Sequence, residues 1–224
     1  NLKFHLFNYG SGRFAVAIGI SGVFALLLSQ RENTSPYLTF AKCLLVFGVM
    51  YRVSAYVTEI QSGPFALGWS EGSRFYNASL FASKRLYGVK LPLPVLHPSR
   101  YLMQALPFFV GIRSILFHRI WQVALWLGMT LWGSWLLAKR FATTAKINLP
   151  WLTALLFLFF FQGAVYYHLM VCVVLVLLGY KKDKPIRTLI FVLLASAWAG
   201  ISRVNWMPVP GLMAVALYLL ETPF

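Results

Sequence analysis

Apolar residues gather into long runs separated by short polar breaks, covering about 14–30, 37–57, 119–138, 149–162, 164–180, 187–203 and 207–221. A membrane-crossing helix needs roughly 20 such residues, fewer where anchoring side chains flank it. Each run therefore predicts a membrane helix. Tyr101–Ile112 is apolar too, but short and interrupted by Pro107, so it reads either as a brief span or as a segment dipping into the membrane. Only Gln162 and Gly163 separate the fourth run from the fifth, and the two also fit one long tilted helix with a re-entrant piece. The expected fold class is an all-α polytopic transmembrane bundle of about seven to eight membrane segments, a single membrane domain over 1–224. Phe14–Leu28 has the length of a signal-peptide core, but no small-residue cleavage site follows it, so it is taken as a membrane helix. The opening at Asn1 and the close at Phe224, just after an apolar run, read as a fragment or the ordered part of a longer protein.

The stretch 58–100 is the only long polar one. Within it, Gly68-Trp69-Ser70-Glu71-Gly72-Ser73-Arg74-Phe75-Tyr76 predicts a helix start, with Ser70 as N-cap and Glu71 in the first turn, where the helix dipole favours a carboxylate. Tyr76, Leu80 and Tyr87 then fall on one stripe, and Arg74, Asn77 and Lys84 on another. That is the pattern of an amphipathic helix over about 70–87 resting in the membrane interface. Gly88 stops it, as a glycine past the last turn does. Pro98 fits the first turn of a further helix, which leaves His97 and Arg100 at the lipid–water boundary.

Composition names the solvent. Hydrophobic residues make up 59% of the chain and charged ones 11%, with a mean hydropathy of +0.70; a soluble domain carries about twice that charge. Lipid must cover most of this surface. The 20 Lys and Arg against 5 Asp and Glu give a net charge of +15, but they sit at the ends of apolar runs. Anionic headgroups or lipid-linked phosphates are therefore the expected partners, and nucleic acid is not. The tightest basic clusters are Lys139-Arg140 with Lys146, and Lys181 to Arg187. The positive-inside rule puts both in the cytoplasm. With one span between them, 58–100, Gln162–His168 and Arg203–Trp206 face outward, provided Tyr101–Ile112 does not cross fully. Arg74, Lys84, Arg85, Lys90 and Arg100 then lie on the side the rule disfavours. Either phosphate binding or a general contact with anionic lipid would account for them. Cys43 and Cys172 lie inside apolar runs and read as small core residues.

Acids are scarce, which draws attention to Glu71. Glu32 and Asp183 fall on the cytoplasmic side, Glu221 lies at the terminus, and only Glu59 and Glu71 remain outside. A transfer reaction that deprotonates a hydroxyl needs a carboxylate or histidine within hydrogen-bond reach. The bland alternative is that Glu71 caps its helix and pairs with Arg74. Arg203, beside Asn205 and Trp206 at an outer membrane end, is either a used charge or a snorkelling one. Tyr166, Tyr167 and His168 line the same region or form an aromatic belt.

These residues, in this order, resemble the GT-C membrane glycosyltransferases, in particular the bacterial relatives of protein mannosyltransferases and of the lipid A aminoarabinose transferase. Tyr37–Val57 resembles the family's first span, Glu71 stands in the place of its acid, and Gly88 follows the interfacial helix. His97-Pro98-Ser99 stands where a His-Pro-Pro or Lys-Pro-Pro motif belongs, and Arg119 opens a span that closes with Lys139-Arg140. The match covers roughly 37–140. It departs at Ser99, in place of a second proline, and in the extra helix 14–30. The resemblance implies transfer of a sugar from a polyprenyl-phosphate donor to an acceptor hydroxyl on the extracytoplasmic face, with Glu71 as general base. The lipid phosphate leaving group needs fixed cations, for which the candidates are Arg74, Arg100 and Arg203, with Lys90, His97 and His168 beside them. No second carboxylate accompanies Glu71, so no metal and no cofactor are expected. The expected setting is a multi-pass protein of a bacterial inner membrane, with membrane lipid, a lipid-linked sugar donor and further membrane subunits as partners. A non-catalytic subunit of a larger membrane complex is the competing expectation. A transporter is disfavoured, because few ionisable residues lie at mid-membrane depth.

Overall fold

A backbone amide in hydrocarbon finds no water, so a chain this apolar must satisfy its amides internally, and the helix does so within one segment. The computed structural model describes residues 10–63, 70–163 and 165–222, and among them every regular element is helical. The order is α1 (Gly10–Glu32), α2 (Pro36–Val57), α3 (Glu71–Ser79), α4 (Ser83–Tyr87), α5 (Pro98–Phe109), α6 (Ile115–Ala145), α7 (Leu149–Phe160), α8 (Tyr167–Gly179), α9 (Pro185–Ser202) and α10 (Val209–Glu221). Short 3₁₀ turns occupy Leu80–Ala82 and Val204–Trp206.

Among the described residues, five segments are long and apolar enough to cross a membrane: α1, α2, α6, α9, and α10 together with the 3₁₀ turn before it. The seven to eight expected spans are thus met by five of full length. The runs 149–162 and 164–180 form separate helices of 12 and 13 residues. At 1.5 Å per residue they reach only about 18–20 Å, less than the roughly 30 Å of a hydrocarbon core.

Two ends can be told apart. At one, Arg140 near the end of α6 pairs with Glu221 of α10 at 2.5 Å and donates to the carbonyl of Tyr180, just past α8. The basic stretch Lys181 to Arg187 comes directly after, so both basic clusters share this end. At the other, Arg119 near the start of α6 donates to the carbonyl of Gln61, just past α2. Because α2 finishes and α6 begins at the same end, α3, α4 and α5 all lie there. Most of Tyr101–Ile112 accordingly belongs to the short helix α5, which lies at that end.

Helix α8 is the centre of the bundle. Ten of its residues are buried, and it packs on α6 and α9 with α10 behind. Its close approach to α9 depends on Gly179, where an added Cβ would overlap both the ring and the Cβ of Phe191. The Phe191 Cβ sits on backbone and cannot swing aside. Gly179→Ala is therefore expected to destabilise by about 1–3 kcal/mol or more through overpacking, read as a lowered unfolding temperature in detergent.

A helix forms where the polar loop predicts it, but in two pieces. Ser70 occupies the N-cap position without its hydroxyl bonding an amide. The Leu80–Ala82 turn breaks the helix, and Gly88 closes α4 in the left-handed conformation at φ 77°, with its N–H on the Lys84 carbonyl. The aromatic stripe is not what it buries. Tyr76 and Tyr87 are exposed, while Ala78 and Ala82 pack against Ala105 and Phe108 of α5. Small side chains let these two short helices lie close together.

Candidate functional site

Glu71 opens α3, and its carboxylate faces protein. Arg119 Nε donates to Oε1 at 2.7 Å and Nη2 to Oε2 at 2.8 Å, while Nη1 reaches the Gln61 carbonyl. Side-chain exposure is 0% for Arg119 and 2% for Glu71. A fork-to-fork pair of this kind fixes direction as well as distance. It ties the end of α2, the start of α3 and the start of α6 into one unit. The ion-pair partner is thus Arg119 and not the nearby Arg74. With both oxygens held and shielded, the general-base role that the resemblance implies requires this pair to open.

The cations converge on a different centre, Tyr166. Arg100 and Arg203 place their guanidinium carbons 5.9 and 5.5 Å from its ring centroid, and the His168 ring stacks beside it at 5.6 Å. Tyr166 precedes α8, Arg203 ends α9 and Arg100 lies in the first turn of α5, so three elements meet here. The Tyr167 hydroxyl is bonded to the Arg100 carbonyl at 3.5 Å. Arg74 joins from α3. Burial, and next the Arg100 charge, push its guanidinium below the usual arginine range, with Glu71 acting weakly the other way. His97, Arg100 and Arg203 all lie close enough to act electrostatically on His168.

Local sequence explains the convergence. His97, at φ 54°, takes the left-handed conformation, rare for a residue with a side chain. It is held there by its Nδ1–H on the Ser202 carbonyl and by the adjoining Ser99–Ser202 hydroxyl bond. His97-Pro98-Ser99 thus staples α5 to the end of α9 and brings Arg100 and Arg203 to the same ring, Tyr166. The departure at Ser99 has a use: a proline there could not make this bond. At the α7–α8 turn, Arg52 of α2 donates to the Phe161 carbonyl at 3.0 Å. That turn packs on Trp126 through Tyr166 and Tyr167. Trp126 lies 11 residues into α6, or about 16 Å from its start. Irregular backbone at such a depth is tolerated where protein surrounds it or water reaches it.

Of the predicted site residues, the structure brings Arg100, His168 and Arg203 to Tyr166, with His97 on the Ser202 carbonyl beside them and Arg74 within electrostatic reach of Arg100. It leaves Lys90 apart, exposed in the extended stretch after Gly88 that Leu91 pins to Ser83. Glu71 stands beside the group but is committed to Arg119. Arg100 and Arg203 therefore meet with no carboxylate in ion-pair range among the described residues. Arg100 Nε and His168 Nδ1 are buried with no protein partner, and a buried donor or acceptor calls for one. An anion is the kind of partner that guanidinium donors of this sort suit. Sequence reasoning missed Arg119 as the partner of Glu71, and missed Ser202 and Arg52 as supports. No known family model, curated protein or solved structure matches this chain.

Proposed function

We propose that the chain is the membrane part of a glycosyltransferase of the GT-C type, moving a sugar from a polyprenyl-phosphate donor to an acceptor hydroxyl. What supports the reading is the approach of Arg100 and Arg203 to Tyr166 beside His168, at the end of the bundle away from the basic clusters, with Arg74 in electrostatic reach of Arg100. In this reading that end is extracytoplasmic and the membrane is a bacterial inner membrane, as the resemblance implies. The arginines grip the phosphate and take up the charge that develops as the sugar leaves. Glu71 would serve as base after exchanging Arg119 for the acceptor hydroxyl.

The burial of Glu71 favours a second reading, in which the chain binds the lipid phosphate as a non-catalytic subunit and the ion pair is purely structural. One variant separates the two. Glu71→Gln/Arg119→Gln keeps a hydrogen-bonding pair without its charges. Transfer from a radiolabelled polyprenyl-phosphate sugar should vanish in it if Glu71 is the base, while donor binding persists. Transfer that survives removes the catalytic role, and failure of the unaltered chain to bind polyprenyl phosphate removes both readings.

A further inference from the structure

A second cationic feature occupies the opposite end of the bundle, away from the arginine group. Lys42 is the one charged residue in the first half of α2, six residues past Pro36, or about 9 Å along the axis. It lines a cleft of about 630 Å³ between α2 and α7. Its ammonium lies 5.5 Å from the Trp151 ring centroid. Lys146, just past the end of α6, stands at the same mouth with Asn148. Below them the cleft is apolar, walled by Leu45, Leu155 and Leu158.

A lysine at this depth in a membrane helix is costly unless its charge reaches polar surroundings or a partner. No carboxylate pairs with Lys42 or Lys146 among the described residues; the ion pairs there are Glu71–Arg119 and Arg140–Glu221. The tryptophan beside it marks headgroup level, where indoles settle. Two lysines at the rim and leucines beneath match one ligand form: a negative head on an apolar tail.

We propose that this cleft is a binding site for one anionic phospholipid, its phosphate between Lys42 and Lys146 and an acyl chain along Leu45, Leu155 and Leu158. The site also has a mechanical meaning. The hairpin of α1 and α2 joins the rest of the bundle largely through the face of α2 that meets α7, where a Cβ at Gly48 would crowd Leu158. A lipid seated beside that contact fills the seam and holds the hairpin in place.

Native mass spectrometry of the full chain, titrated with phosphatidylglycerol and with phosphatidylcholine, tests this. The expected result is one phosphatidylglycerol held in preference to phosphatidylcholine. The Lys42→Gln/Lys146→Gln variant should bind one equivalent fewer, its affinity at this site falling about tenfold or more. Leu45→Trp, which fills the apolar part and keeps both charges, should lose the same equivalent. Lys181→Gln/Lys184→Gln, with equal charge removed at the same end but outside this cleft, should keep it. Inorganic phosphate should not displace the lipid. Equal retention by the Lys42/Lys146 variant, equal binding of phosphatidylcholine, or a second protein copy in place of the lipid would overturn the proposal. Because the Arg74, Arg100 and Arg203 group lies at the other end, loss of polyprenyl phosphate binding there leaves this test unaffected.

Discussion

Replacing Arg119 with methionine is expected to destabilise the protein by about 3–5 kcal/mol, because it leaves the Glu71 carboxylate buried without a partner. Three elements lose their common tie at once, since Arg119 bonds both Glu71 oxygens and the Gln61 carbonyl. Glu71→Leu should cost a similar amount by stranding the guanidinium. The double change, Glu71→Leu/Arg119→Met, should recover most of the loss, as apolar replacements of a whole buried pair often come close to neutral. Unfolding temperature and monodispersity in detergent give the readout. Arg140→Gln provides the contrast. Its pair with Glu221 is shorter still at 2.5 Å, but the side chains are 19% and 28% exposed, and a partly solvated pair contributes about 1 kcal/mol or less. Single changes at Glu71 and Arg119 that cost no more than Arg140→Gln would show the buried pair to be dispensable.

The membrane class and most helices were legible because runs of about 20 apolar residues have few other uses in a folded chain. Boundaries fared less well at polar ends. The run 119–138 is the middle of α6, which extends over Ile115–Ala145, because a helix leaving hydrocarbon continues through polar residues without breaking. The stripe of Tyr76, Leu80 and Tyr87 assumed an unbroken period of 3.6, whereas the Leu80–Ala82 turn runs nearer 3.0 residues per turn and shifts the phase of α4. Arg119 lies 48 residues from Glu71, and no local pattern marks a pairing of that range, while Arg74 three residues away offered a ready local answer. The approach of Arg100 to the same ring as His168 and Arg203 spans still longer separations and was nonetheless accessible. Each sits near a segment end on the same side, so topology alone limits them to one face. Lys90 met that condition too, which shows its weakness: sharing a face does not bring a side chain to the centre. The staple from His97 and Ser99 to Ser202 decides that, and it depends on a left-handed residue that sequence does not announce.

Under the proposed function, removing both central cations, in Arg100→Gln/Arg203→Gln, is expected to weaken polyprenyl phosphate binding about 100-fold. A hydrogen bond to a charged group contributes about 1.5–3 kcal/mol, and each 1.4 kcal/mol is tenfold in affinity, so each arginine should account for about tenfold or somewhat more. Glutamine keeps a donor and much of the stem, which limits the packing change around Tyr166, the ring that both guanidinium groups approach. The two sites share that ring, so their effects should not add fully, and the single variants should together exceed or fall short of the double by a measurable margin. Lys90→Gln is the internal control. It removes the same kind of charge from the same end of the molecule, yet Lys90 is exposed and apart from the group, so affinity should change by about twofold at most, and that change should vanish at high salt. The arginine effect should persist there, because half-buried charges are screened less. Titration calorimetry in detergent at low and high salt distinguishes the cases. A Lys90→Gln loss as large as that of the double arginine variant, or an arginine effect abolished by salt, would mean that the whole basic surface attracts the phosphate and no site has been built for it.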